Sequence, residues 1–185
     1  AEYLTSMHDK CDAVIVLSKK HQSQLLEWNT QSDLRLMPTG VNPLPVPTDK
    51  EVQTFKKKYG ILKNEKVILY AGRISKEKNL DLLLDAYASY IAPRHENIKL
   101  LFAGDFDYRE ELEQKALATG LGERIVFTGH FKRQKLGVVY ASADIFAFPS
   151  LTDTQGLVLH EAAGAGLPLV LCDAHVSEIF HNNVN

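Results

Sequence analysis

Short apolar segments alternate with helical segments from residue 50 to residue 171, and this alternation constrains the fold more than any other feature of the chain. Strands are predicted at residues 66–71, 98–103, 125–128, 144–148 and 167–171, and helices at 50–59, 80–91, 109–119, 134–142 and from about 156. The strands are apolar on both faces, which is typical of a parallel sheet covered by helices. Right-handed crossovers between such strands make the sheet doubly wound. The predicted fold class is therefore α/β, with a doubly wound, Rossmann-like parallel sheet.

The first 42 residues do not fit this alternating unit. They predict a strand at 13–17, a helix at 20–28 and a strand at 34–37, which are too few elements to make a domain. Pro43, Pro45 and Pro47 predict an extended linker over residues 43–50. We therefore divide the chain into residues 1–42 and residues 43–185. The second unit is expected to be incomplete, because residues 182–185 end the sequence where at least one more helix is expected.

Charge and composition exclude several classes of partner. The chain of 185 residues has 21 basic and 23 acidic side chains, a net charge of −2, which gives no general attraction for nucleic acid or an anionic membrane. Any phosphate binding must therefore be local. No apolar run approaches the roughly 18 residues that would indicate a membrane-spanning helix.

Cysteine and histidine usage indicates neither disulfides nor a metal site. Cys11 and Cys172 lie far apart, each in or beside an apolar run, so we expect buried thiols in a reducing cytoplasm. The seven histidines show no metal-ligand spacing. His160-Glu161 begins like a zinc-protease motif, but Gly164 occupies the position of the second histidine. No metal ligand is therefore predicted.

Three of the predicted strands end in glycine, at Gly72, Gly104 and Gly129. Glycine often closes a strand for structural reasons alone, but it also lets a ligand approach the backbone closely. Arg73 and Lys78 follow the first of these strands and supply a planar, bidentate donor group and a mobile point charge. In a doubly wound sheet, ligands bind above the carboxyl ends of the strands. Together these residues favour a diphosphate site at that edge of the sheet.

The segment from Phe148 to Val170 predicts a strand end, a polar loop, a short helix and the next strand. The loop spans residues 150–155, and Gly164 and Gly166 with Pro168 end the helix. The start of such a helix presents unpaired backbone N–H groups and a positive dipole end above the sheet. The sequence therefore predicts an anion site here as well.

Two acids, Asp153 and Glu161, lie eight residues apart on either side of this helix start. Either acid taken alone is best explained as a solvated or capping carboxylate, because charged side chains are seldom buried unpaired. Their position around a predicted phosphate-binding loop favours a role in ligand binding for the pair.

The chain resembles the retaining glycosyltransferases of the GT-B fold, in the group called family 4 or glycosyl transferases group 1. The likeness rests on the Arg and Lys five residues apart, on the two acids with Gly-Leu between them, and on the pattern Glu-Ala-x-x-x-Gly-x-Pro-x-Val. The resemblance implies that Arg73 and Lys78 hold the diphosphate of a sugar nucleotide, that Asp153 contacts the sugar, and that Glu161 holds the ribose. It further implies that eight residues contact the donor, many of them through the backbone: Gly72, Gly104, Gly129, His130, Thr154, Gln155, Gly156 and Leu157. Of these, Gly129 and His130 would lie near the nucleobase.

The same resemblance implies a function and a domain arrangement. Residues 1–42 correspond to the end of an acceptor-side domain, and residues 43–185 to the donor domain of an enzyme that transfers a sugar with retention of anomeric configuration. We expect a UDP-hexose donor, no cofactor, and a glycan or lipid-type acceptor bound by the missing domain. Peripheral association of the full-length enzyme with a membrane is compatible with this, and the fragment alone is expected to be inactive.

Two positions depart from the family pattern. Asp153 stands where the family more often has glutamate, and residues 173–178 lack the glycines that commonly precede the last glutamate. Two other readings therefore stay open: a non-catalytic α/β domain that binds a phosphorylated ligand, and an epimerase or phosphorylase of related architecture.

Overall fold

The computed structural model describes residues 2–173, apart from the side chain of residue 2. Two features discussed above lie outside the described residues. These are the segment 174–178 and the end of the chain at residues 182–185.

Residues 2–36 fold around a pair of parallel strands. Helix α1 (Glu2–His8) precedes β1 (Ala13–Val16), and α2 (Lys19–Glu27) connects β1 to β2 (Asp33–Leu36). The Ser18 hydroxyl accepts a hydrogen bond from the His21 backbone N–H, so Ser18 caps the start of α2. The two predicted strands and the helix between them are confirmed, and α1 is an additional element.

A segment without helix or strand, residues 37–48, connects this pair of strands to the rest of the chain, and we call it the crossing. It lies directly against helix α6 (Arg133–Ala141), where a Cβ added to Gly137 would be 1.9 Å from the Pro45 carbonyl oxygen. Thr48 then begins α3 (Asp49–Lys58) with a capping box that it shares with Glu51. Residues 43–48 of the predicted linker have neither helix nor strand, whereas residues 49 and 50 belong to α3.

Within residues 49–173 five parallel strands form the main sheet, in the order β5-β4-β3-β6-β7. The strands are β3 (Lys66–Ala71), β4 (Ile98–Ala103), β5 (Ile125–Phe127), β6 (Ile145–Phe148) and β7 (Leu169–Leu171). The connecting helices are α4 (Leu80–Ala86), α5 (Arg109–Ala118), α6 and α7 (Leu157–Gly164). This order is that of a doubly wound sheet, so the predicted fold class is confirmed.

The core lies on both faces of the two central strands. Five of the six residues of β3, and five of the six of β4, are buried. Aromatic rings fill the space between sheet and helices, and the stacked pairs include Phe102 with Phe127 at 4.9 Å and Phe146 with Phe148 at 6.3 Å between centroids. Burial on both faces explains why these strands read as continuous apolar runs.

The helix predicted over 80–91 changes its geometry midway. It is α-helical to Ala86 and continues as a wider π turn from Tyr87 to Ile91. The Tyr87 ring is fully buried, and its hydroxyl donates to the Ile98 carbonyl oxygen at 2.6 Å. We attribute the widened turn to this buried anchor, since single π turns accommodate a side chain that the regular spacing would misplace.

Both cysteine thiols are exposed, and the prediction that they are buried is wrong. Cys11 lies in the turn between α1 and β1, and Cys172 follows β7 at the edge of the sheet. An apolar run is buried only where another layer of the fold covers it, and the described residues do not cover these two cysteines. Among residues 2–173 no helix is long and apolar enough to cross a membrane.

The direction of winding reverses between β3 and β6. Helices α4 and α5 lead to β4 and β5 on one side of β3, whereas α6 leads to β6 on the other side. Loops that leave β3 and β6 at their carboxyl ends must therefore diverge and leave a crevice between them. Gly72 to Lys78 and Ser150 to Gly156 form those two loops.

Replacing Gly104 by alanine should destabilise the fold. A Cβ at this position would lie 1.8 Å from the Gly72 carbonyl oxygen, which belongs to the backbone and cannot rotate away. We expect a loss of about 1–3 kcal/mol in the free energy of unfolding, as for other overpacked sites. Urea unfolding would measure it, with Gly164→Ala as the control, because an added Cβ there meets nothing within 4 Å. Equal stabilities of the two variants would contradict the close approach.

Candidate functional site

The loop after β3 turns sharply to bring a lysine back over the sheet. Gly72 has φ of +148°, and a short 3₁₀ turn from Lys76 to Lys78 ends at Asn79, whose φ is +56°. The Tyr70 hydroxyl donates to the Arg73 carbonyl oxygen at 2.8 Å and fixes the turn from below. Burial, together with the nearby Asp153 carboxylate, raises the pKa of Tyr70, so this hydroxyl stays a donor at neutral pH.

Lys78 is bonded across the crevice to Asp153. Its ammonium nitrogen lies 3.0 Å from each carboxylate oxygen of Asp153, and Lys78 is only 8% exposed. A second carboxylate, that of Glu77, lies 3.7 Å from the same nitrogen. A charge this well shielded from water needs such a partner. The two predicted residues therefore lie together, each from a different loop.

Arg73 is held at the rim of the same crevice. Its guanidinium donates to the Glu77 carboxylate at 3.2 Å and lies over the Phe106 ring, 5.4 Å from its centroid. The side chain is 61% exposed, so most of its donors are open to water. Arg73 and Lys78 thus share Glu77 as a neighbour but differ sharply in burial.

The three strand-end glycines occupy two places. Gly72 and Gly104 follow the paired strands β3 and β4 and lie in direct contact. Gly129 follows β5, beyond β4, has φ of +79°, and lies near the Arg109 guanidinium. His130 beside it is exposed. The glycines therefore extend along one edge of the sheet from the crevice towards β5.

The loop after β6 leads into α7 through Gly156, which has φ of +64° and ψ of +62°. This left-handed backbone favours glycine, because a Cβ would be strained there. Thr154 and Leu157 are exposed on either side of the turn, and Gln155 is buried with its side-chain amide bonded to the backbone of Thr39. The helix begins at Leu157, as predicted to within one residue.

Glu161 lies one turn into α7 and has a partner for each oxygen. Arg133 donates to one oxygen at 2.6 Å, and the Tyr140 hydroxyl donates to the other at 3.0 Å. Arg133 also donates to the Asn42 carbonyl oxygen of the crossing. Burial, and then the carboxylate itself, raises the pKa of Tyr140. These contacts hold Glu161 in one orientation.

Arg133 and Tyr140 are not among the residues predicted from the sequence. They lie seven residues apart on α6, and hence on one face of that helix, which is the only signal that could have paired them. A helix-face pattern does not show which other helix it meets. Their role becomes visible only once α6 and α7 are placed side by side.

A cavity of about 710 Å³ lies between the crossing and α7. Its wall includes Gln155 and Glu161 but neither Arg73 nor Lys78, so it adjoins the crevice on the side of the crossing. His160 also lines it, and burial lowers the pKa of that imidazole. The part of the chain from residue 2 to residue 173 contains no group of three or more His, Cys, Asp or Glu side chains placed to hold a metal ion.

The site thus combines a buried cation, an exposed cation and a helix start at one switch point. Such an arrangement can bind an anionic group through two kinds of donor. Asp153 and Glu161 add two carboxylates whose free lone pairs can accept hydrogen bonds from hydroxyl groups. An anionic ligand that also carries hydroxyls fits this chemistry.

Residues 51–185 match the protein family described as glycosyl transferases group 1. One curated relative is an uncharacterized glycosyltransferase of Methanocaldococcus jannaschii, which is 31% identical over 100% of this chain and 48% of its own length. Another is the alpha-monoglucosyldiacylglycerol synthase of Streptococcus pneumoniae, which is 29% identical over 97% of this chain and 40% of its own length. The chain therefore spans less than half the length of these relatives.

A solved structure shows the same fold. Anabaena HepE, in a complex with UDP and glucose, superposes with a TM-score of 0.87 at 21% identity, over 100% of this chain and 51% of that one. The chain belongs to the glycosyl transferases group 1 family, and its five-stranded unit is the Rossmann-like half of a GT-B fold.

Removing the Tyr140 hydroxyl should destabilise the fold without disturbing its packing. Tyr140→Phe keeps the buried ring but leaves one Glu161 oxygen without a donor, and a hydrogen bond to a charged group contributes about 1.5–3 kcal/mol. We expect a loss within that range in urea unfolding. Tyr90→Phe is the matched control, because Tyr90 is 67% exposed, and it should be neutral. Equal effects of the two changes would show that the Tyr140 hydroxyl does not hold Glu161.

Proposed function

We propose that this chain contains the donor site of a glycosyltransferase that moves a hexose from UDP to an acceptor with retention of anomeric configuration. The supporting observation is the Lys78–Asp153 pair at the switch point, with Arg73 on the same loop and the start of α7 opposite. In this proposal the diphosphate lies between these two cations and the backbone N–H groups at the start of α7. Residues 43–185 form the donor domain in this proposal, and residues 1–42 the end of the acceptor-side domain.

The proposed catalysis is electrostatic. As the bond from sugar to diphosphate breaks, negative charge builds on the leaving diphosphate. Arg73, Lys78 and the N–H groups of Gly156 and Leu157 are fixed donors around it, and such preorganised donors stabilise developing charge strongly. A lysine ammonium has three N–H donors, so Lys78 can keep one on Asp153 and turn others towards phosphate. No metal ion or cofactor is required in this scheme.

The two carboxylates have separate roles in the proposal. Asp153 orients the donor sugar, because it lies next to the cation that meets the diphosphate. Glu161, held by Arg133 and Tyr140, accepts hydrogen bonds from the ribose hydroxyls. The nucleobase lies towards Gly129 and His130, at the β5 end of the same edge.

The relatives support the choice of substrates. HepE was solved with UDP and glucose, and the Streptococcus pneumoniae relative is named as a synthase of a glucosylated diacylglycerol. UDP-glucose is therefore the first donor to test, and a lipid or glycan hydroxyl the first acceptor. Retention would be checked on the full-length protein, where NMR of the product should show the same anomeric configuration as the donor.

UDP should bind this chain at least tenfold more tightly than UMP in the presence of EDTA. The second phosphate adds charge-assisted hydrogen bonds to Arg73 and Lys78, each contributing about 1.5–3 kcal/mol. Calorimetry would measure both affinities. Arg73→Ala should reduce the difference, whereas Arg94→Ala, at an arginine bonded to the Tyr90 carbonyl, should not. Equal affinity for the two nucleotides, or a strict need for magnesium, would contradict the proposal.

Substitutions of the two acids should separate ribose from sugar. Glu161→Ala should weaken UDP and UDP-glucose alike, by roughly tenfold or more, because it removes hydrogen bonds to the ribose. Asp153→Asn should weaken the binding of UDP-glucose but not that of UDP, since the carboxylate that competes with phosphate for Lys78 is gone.

Each variant must first be shown to be folded at the temperature of the binding assay by a cooperative melting transition above it, because loss of either acid also removes contacts that stabilise the fold. If Asp153→Asn weakened UDP as much as Glu161→Ala did, the two roles would be wrongly assigned. The site would then be a general phosphate pocket, as in the non-catalytic reading.

A further inference from the structure

The side chain of Gln155 is turned away from the crevice. Its Nε2 donates to the Thr39 carbonyl oxygen at 2.7 Å, and its Oε1 accepts from the Thr39 backbone N–H at 2.9 Å. Gln155 is only 7% exposed. Both functions of the amide are therefore used on a single residue of the crossing, 116 positions earlier in the chain.

The loop that precedes α7 is bonded at both of its ends to the amino-terminal part of the chain. Near its start, the Lys20 ammonium of α2 donates to the Leu151 carbonyl oxygen at 2.9 Å. Near its end, Gln155 pairs with Thr39. Between these two points lies Asp153, which reaches across to Lys78. The loop that carries Asp153 is therefore held from the amino-terminal side as well as by Lys78.

The crossing itself depends on such contacts. Thr39 is exposed and lies in a segment without helix or strand, so its backbone groups have no neighbour in a sheet or helix. Besides Gln155, the guanidinium of Arg133 donates to the Asn42 carbonyl oxygen while it holds Glu161. Gln155, which lies in the loop before α7, and Arg133, which bonds Glu161, thus both bond the backbone of the crossing.

We infer that Gln155 is a positioning residue: through its amide pair with Thr39 it fixes the loop that presents Asp153 and the N–H groups of Gly156 and Leu157, and it links donor binding to the crossing. This inference rests on the proposed function, because the donor is the ligand that the loop would meet. The side-chain amide of Gln155 is fully used on Thr39, so in this inference any donor contact at this position is made by its backbone. When the donor orders the loop, Thr39 becomes more firmly held, and loss of the pair removes that link.

Two substitutions of Gln155 break the pair in different ways. Gln155→Glu keeps the side-chain shape and the acceptor for the Thr39 N–H, but it sets a carboxylate oxygen against the Thr39 carbonyl. Gln155→Ala removes both bonds. Gln53→Glu, on the exposed side of α3, introduces the same charge away from the site and is the matched control.

Amide hydrogen exchange tests the pair without any ligand. In the unmodified chain the Thr39 amide should be protected although the residue is exposed, and in both Gln155 variants it should exchange at least tenfold faster. The Gly156 and Leu157 amides should also exchange faster, because their loop is no longer fixed. Unchanged exchange at Thr39 in Gln155→Ala would overturn the inference, whether or not the chain binds a nucleotide.

Binding of UDP tests the link. UDP should slow exchange of the Thr39 amide further in the unmodified chain and in Gln53→Glu, but not in either Gln155 variant. The affinity for UDP should fall roughly tenfold in the two Gln155 variants, as expected for the loss of a buried hydrogen bond. If the role of Gln155 were purely structural, its substitution would lower the melting temperature, but UDP would not change the exchange rate of the Thr39 amide even in the unmodified chain. UDP affinity within twofold of the unmodified chain in both variants would overturn the inference. If the unmodified chain binds no UDP, the proposed function fails, and the exchange rates without ligand still decide whether Gln155 fixes the loop.

Discussion

The parallel pairing of β3 with β4 on one side and β6 on the other is the constraint on which the rest of the structure depends. Because the chain returns past β3 to form β6, the loops after these strands diverge and open a crevice above the sheet. The backbones of Gly72 and Gly104 are in contact on the β4 side of this crevice, where a Cβ on Gly104 would not fit. Arg73 and Lys78 lie in one of these loops and Asp153 in the other, so their positions follow from this reversal of winding.

In the proposed function, the Lys78–Asp153 pair gives a chain with a net charge of −2 a local site for a diphosphate. Lys78 is almost fully buried, and an unpaired ammonium there would be strongly destabilising. The Asp153 carboxylate neutralises it and comes from the opposite loop, so the pair draws the two loops together. A diphosphate can then share the same ammonium without leaving a buried charge unpaired.

The sequence predicts best where a single local cause decides the structure. The bounds of β3 and β4 are predicted to the residue, since strands buried on both faces are continuous apolar runs. Arg73, Lys78 and Asp153 follow from strand ends and a helix start. What depends on a second element is missed: Arg133 and Tyr140 meet Glu161 only across two helices, and the thiol of Cys172 is exposed because β7 lies at the sheet edge.

The predicted boundary at residue 42 separates two sheets but not two independent sites. Lys20 reaches Leu151 from α2, and Thr39 pairs with Gln155, so the loop that presents Asp153 is bonded on the amino-terminal side of that boundary. Arg133 bonds Asn42 and Glu161 together. A movement of the crossing must therefore displace donor-site residues, and an ordered donor site must in turn restrain the crossing. The acceptor is proposed to bind on the far side of that crossing. These few hydrogen bonds therefore directly connect the proposed acceptor side of the protein with the proposed donor site.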